Sequence, residues 1–171
     1  MKYRIEISPL RKWRDTRAEA LQAQAKEILD LNIDKVKTRD VYSLIADITT
    51  EQAQNVAEEL ANPVIQVGKV GETAEPEYDW LIVVGYRPGV TDNVGHTAFL
   101  AVGDIVGREL SEDEQAFSSI EYLLKAPNMG RTDVERVANE LLANPLIQTM
   151  TILDAAEIAS GVPFNAPIVT E

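Results

Sequence analysis

One phrase stands twice in this chain. Residues 58–66 read EELANPVIQ and residues 140–148 read ELLANPLIQ, identical at seven of nine positions. The likeness extends outward from the phrase. YRIEISP (3–9) and WLIVVGY (80–86) both read as strands. Residues 15–31 answer residues 92–110: at an offset of 77, Leu21 falls on Ala98, Ala25 on Val102, Ile28 on Ile105 and Leu29 on Val106. Those positions recur at helical spacing, so the same helix face is expected to be apolar in both copies. Strand-like stretches follow at 40–48 and 119–126, then a second helix in each copy, TTEQAQNVAEEL and RTDVERVANELL. Thr50 is the expected cap of the first and Thr132, with Glu135 three residues on, of the second. The offset is now 82, so the second copy has gained five residues. A last strand closes each copy, VIQVGKV and LIQTMTIL.

Each copy therefore reads β-α-β-α-β. The middle stretch, 35–49, is long enough to turn near Arg39 and Asp40 and form a hairpin. The expected fold class is then α+β: two tandem β-α-β-β-α-β sandwiches, helices on one face of an antiparallel sheet, the sheets packed as a pseudo-dimer. Residues 1–71 form the first repeat, 72–78 an acidic linker with little to bury, 79–153 the second repeat and 154–171 a tail or connector. KYRIEIS alternates and suits a strand with one wet face, whereas WLIVV is apolar throughout and suits a strand buried on both. Either the first copy's sheet or a partner is expected to cover it. Within the repeated phrase, Asn62 and Asn144 suit a left-handed helix stop, with a ligand role as the alternative. The following proline cannot continue the helix.

Several kinds of chemistry are excluded. There is no cysteine, hence no disulfide, thiolate zinc site or Cys nucleophile. A single histidine, His96, cannot build a multi-His metal site within one chain. Neither common glycine-rich phosphate loop is present. The net charge of −12 argues against nucleic acid or an anionic membrane as partner. It is unevenly spread: residues 1–70 carry eleven basic and eleven acidic side chains, the remainder five and seventeen. With no apolar run of eighteen residues and no signal-peptide core in MKYRIEISPL, the chain reads as cytoplasmic.

Residues 86–102, YRPGVTDNVGHTAFLAV, carry a further pattern in Arg87, Val90, Asp92 and Gly95. With LLANPLIQ (141–148), they resemble the PurS small subunit of phosphoribosylformylglycinamidine synthase. Asn93 stands where that family has proline. The first copy keeps Asp15 and LANPVI (60–65) but has Ala18 in place of the glycine. Two such units followed by GVPFNAPIVTE resemble the N-terminal region of some single-chain, PurL-type synthases. The resemblance implies a noncatalytic role in purine biosynthesis. The chain would be a subunit or N-terminal fragment of an ATP-dependent, glutamine-using C–N ligase, without a self-contained active site. It would join a synthetase (PurL-type), which uses ATP and Mg, to a glutaminase (PurQ-type), which supplies ammonia. No cofactor is implied for this chain. Small subunits of the family dimerise through their sheets, so the tandem chain would be a covalent pseudo-dimer, with a homodimer also possible.

The residues singled out as interface or anion contacts are Arg11, Lys12, Trp13, Arg14 and Arg17, which crowd a helix start, and Arg87, Asp92, Gly95 and His96. Cations are disfavoured at a helix N-terminus, so the basic group is either a solvated loop or a site for an anion or acidic surface, with Trp13 as an apolar anchor. Gly95 in a first helical turn points to close packing, within the chain or with a partner. His96 reads as a surface or interface residue. Two rival readings are a regulatory, small-molecule-binding tandem sensor and a free-standing enzyme using His96 with an orienting carboxylate.

Overall fold

The computed structural model describes residues 1–165. Its strands are β1 (Lys2–Pro9), β2 (Lys35–Ile45), β3 (Gln66–Val70), β4 (Trp80–Tyr86), β5 (Gln115–Lys125) and β6 (Gln148–Asp154). The helices are α1 (Thr16–Leu29), α2 (Thr50–Leu60), α3 (Asn93–Val106), α4 (Arg131–Val137), which continues as a π turn over Ala138–Leu142, and the short α5 (Ala155–Ala159). None of them is long and apolar enough to cross a membrane.

All six strands belong to one antiparallel sheet in the order β3-β1-β2-β5-β4-β6. The fold is α+β, as the repeat predicts, but the middle strand does not fold back into a hairpin. β2 runs unbroken through Arg39 and Asp40. Arg39, which suggested a turn, is buried because Glu121 on the neighbouring strand meets its Nε at 2.6 Å. The two copies are also not separate sandwiches. They join edge to edge through β2 and β5, paired from Lys35 opposite Lys125 to Ile45 opposite Gln115. Asp40 faces Ile120 at the centre, on an approximate two-fold axis.

The helices cross that seam. Leu21, Ala25 and Leu29 of α1 pack on Ile82, Val84, Tyr122 and Leu124, which belong to the second copy's strands. Val102 of α3, with Ile105 and Val106 beside it, packs on Tyr3, Ile5, Leu44 and Val56 of the first copy. The stripe expected at offset 77 holds, except that Ile28 is 63% exposed. It lies one position before Leu29, about 100° round the helix from the buried row. Capping is shifted as well. Thr49, not Thr50, accepts from Gln52 N, and its own N donates back to the Gln52 side chain. Helix α4 begins after Gly130, whose N donates to Asp133, so Thr132 is not its cap.

The opposite face of the sheet is covered by the chain itself. Over the second copy lie Tyr78 of the linker and Ile158 and Val162 of the tail, packed on Leu81, Val83, Leu123 and Leu153. That explains the apolar run of β4 without a second sheet or a partner, and it gives the linker a buried residue that its composition did not suggest. Over the seam lies a charge quartet of buried Glu6, Arg39 and Glu121 with the partly exposed Arg4. Glu121 accepts from Arg4 at 2.7 and 2.8 Å as well as from Arg39. Glu6 bridges the same two guanidiniums at 3.1 and 3.3 Å and accepts from Thr73 N of the linker.

Candidate functional site

The family-like motif residues sit where a strand leaves the sheet and a helix begins. Asp92 caps α3 by accepting from Gly95 N at 2.7 Å. The same carboxylate accepts from Ser118 N and Ser118 Oγ, both at 2.6 Å, and so ties the helix start to β5. Asp15 repeats this at α1, accepting from Ala18 N at 2.9 Å and from Thr38 N and Oγ1 on β2. Gly95 is buried, and a Cβ there would stand 2.8 Å from Ala116 O. Its close contact is therefore made within the chain. Arg87 is exposed and donates from Nε to Pro145 O at 2.7 Å, while its backbone N donates to Ile147 O. It thereby holds the second copy's repeated phrase.

His96 is exposed one residue after Gly95, its ring stacked 6.2 Å from Phe99. Its side chain makes no hydrogen bond among the described residues, so no carboxylate orients it as a base. Arg87, Asp92 and His96 share an open cleft of about 480 Å3 with Val90, Phe99 and Phe117. At one rim Arg108 grips Glu114 with two bonds of 2.8 Å, and this pairing holds the Glu114 carboxyl well below the usual carboxylate range.

The basic group of the first copy divides. Arg14 pairs with Glu19 at 2.5 Å, and Arg17 reaches Asp40 at 3.1 Å and Thr38 at 3.2 Å. Asp15 already supplies a carboxylate to the helix N-terminus, which takes the place an anion would occupy. Arg11, Lys12 and Trp13 are exposed, and the two cations have no hydrogen-bond or ion-pair partner among the described residues.

Residues that sequence reasoning passed over lie in the repeated phrase itself. Asn62 does not take the left-handed conformation, which among non-glycine residues described is adopted by Asp30 alone. Instead its side-chain oxygen accepts from Val64 N at 3.1 Å, and its N donates to the Gln66 side chain at 2.9 Å. Asn144, Leu146 and Gln148 build the same latch, with bonds of 3.0 and 2.9 Å. The latch holds Val64 64% exposed and Leu146 83% exposed, each followed by a partly exposed isoleucine, Ile65 or Ile147. In the first copy Ile65 lines one cleft with Trp13. The strands expected from Val64 and Leu146 begin only at Gln66 and Gln148, which leaves both apolar pairs in the loop; the signal that could have found them is two large apolar residues after N-P in both copies, where a loop would ordinarily be polar.

A scan against protein-family models found no match to this chain, and a search of curated proteins found none either.

Proposed function

We propose that the chain is a noncatalytic, PurS-like assembly module of a phosphoribosylformylglycinamidine synthase. In this reading it acts in the cytoplasm, joins the ATP- and Mg-using synthetase to the glutaminase, and supports ammonia transfer between them. The observation that carries the reading is the pair of apolar latches, Val64–Ile65 and Leu146–Ile147, held out by Asn and Gln side chains whose amide oxygens accept from the loop backbone in both copies. Large apolar side chains fixed in the open are what a protein partner buries. The motif residues support the same reading, since Asp15, Asp92 and Gly95 are occupied with capping and close packing rather than with a reacting group.

The test is reconstitution. Synthetase and glutaminase components lacking this module are given ATP, formylglycinamide ribonucleotide and either glutamine or ammonium. The chain is expected to restore the glutamine-dependent rate and to leave the ammonium-dependent rate little changed. Val64→Asp with Leu146→Asp should abolish that rescue while the melting temperature holds. No rescue by the parent chain, together with no binding to the synthetase, would remove the reading.

A further inference from the structure

The two outer edges of the sheet are unlike. At β3, the Gln54 side chain of α2 reaches over the edge, donating to Gly68 O and accepting from Val70 N, both at 3.3 Å. Two of the outward backbone groups of that strand are thus engaged. The position answering Gln54 in the second copy is Arg136, whose side chain bonds no group of β6 among the described residues.

β6 alternates as an antiparallel strand must: Thr149, Thr151 and Leu153 direct N–H and C=O toward β4, and Met150 and Ile152 direct theirs outward. Ile152 O accepts from Arg131 at 3.1 Å, which fits this phase. Met150 N–H, Met150 C=O and Ile152 N–H have no partner among the described residues. From Gln148 to Leu153 the strand has no charge, no proline and no glycine, the devices that ordinarily blunt an edge. Met150 and Ile152 are only partly buried against the helix layer.

We propose that β6 pairs with β6 of a second copy of this chain, antiparallel about a two-fold axis at Thr151. Met150 then exchanges both backbone bonds with Ile152 of the second copy, and Arg131 yields the Ile152 carbonyl while keeping Glu157 at 3.0 Å. The strand is its own complement in this register. Met150 faces Ile152, Thr149 faces Leu153, Thr151 faces itself and Gln148 faces Asp154, so no like charges meet. The helix above the strand runs antiparallel to it. It starts with Arg131 at the Ile152 end and finishes past Glu140, just before the loop into Gln148. The two-fold axis sets Arg131 of one copy toward the Glu140 end of the other's helix, with Asp133 beside Arg131 leaving that start without net charge. The sheet would continue through the new seam as it already does through β2 and β5.

The chain has no cysteine, so a single introduced thiol reports on one position. Facing residues of a non-hydrogen-bonded antiparallel pair have Cα atoms about 4.5 Å apart, within disulfide reach. Thr151→Cys is expected to oxidise to a covalent dimer, and Gln24→Cys on α1 is expected not to. Sedimentation at high micromolar concentration should give the parent chain twice its 18.9 kDa mass. Thr151→Lys opposes two cations at the axis and should weaken the dimer at least tenfold, with its circular dichroism unchanged, and its melting unchanged at dilutions where both chains are monomers, because Thr151 is exposed. A parent chain that stays monomeric, a dimer indifferent to Thr151→Lys, or equal cross-linking from both thiols would overturn the proposal.

Discussion

Position 95 shows how closely one residue is fitted to its surroundings. A methyl group added there meets Asp92 Oδ2 at 2.5 Å and Ala116 O at 2.8 Å, and the second of these is backbone that cannot swing aside. Gly95→Ala should therefore destabilise the chain by about 1–3 kcal/mol, the usual range for overpacking. The first copy already carries alanine at the equivalent Ala18, so Ala18→Gly should cost only about 1 kcal/mol, from helix propensity. Chemical denaturation of both variants checks the contrast. At the neighbouring cap, Asp92→Ala removes the acceptor of Gly95 N and strands the buried Ser118 N–H and hydroxyl. A lost cap costs about 1 kcal/mol, and buried donors left without acceptors cost about 1–3 kcal/mol more. The same measurement should show this variant to be the less stable of the two Asp92-site changes when set beside Asp92→Asn, which keeps one acceptor oxygen.

Between elements, the seam rests on Glu121. Burial pushes its carboxyl upward, but the guanidiniums of Arg4 and Arg39 more than offset that, and the group lies below its ordinary value. A carboxylate depressed in the folded state stabilises above its unfolded pKa, about 4.3, and that contribution is lost as pH falls toward the folded value. The melting temperature should thus be flat near neutrality and drop below about pH 4.3. In Glu121→Gln the drop should be shallower. That variant should start about 3–5 kcal/mol less stable, because Arg4 and Arg39 lose a buried counter-charge. This seam also marks the limit of what the sequence discloses. The α1 and α3 faces and the doubly buried β4 are local patterns, and they were readable, whereas the caps expected at Thr50 and Thr132 each lie elsewhere. The course of β2 was not, since Arg39 is kept in a strand by a carboxylate 82 positions away. Nor could periodicity say that α1 rides over the second copy and α3 over the first. The repeated phrase was readable as a helix stop, but its Asn–Gln latch depends on side chains folding back over a loop.

For the whole molecule, crossing helices mean that neither copy owns its core. A fragment of residues 1–75 leaves Leu21, Ala25 and Leu29 without Ile82, Val84 and Leu124. We expect it to show no cooperative unfolding alone, and to regain it when mixed with residues 76–171. Cooperative melting of either fragment as a monomer would contradict the shared core. The central pair of the seam carries a last consequence. In a dimer of identical units the residue at the axis must meet itself; here Asp40 meets Ile120, and Arg39 faces Glu121 where its symmetry mates are Val41 and Ser119. A dimer of first copies would set aspartate on aspartate and bury arginine against valine. Joining the units in one chain lets left and right differ, so the seam can carry handed information that no self-paired unit could hold.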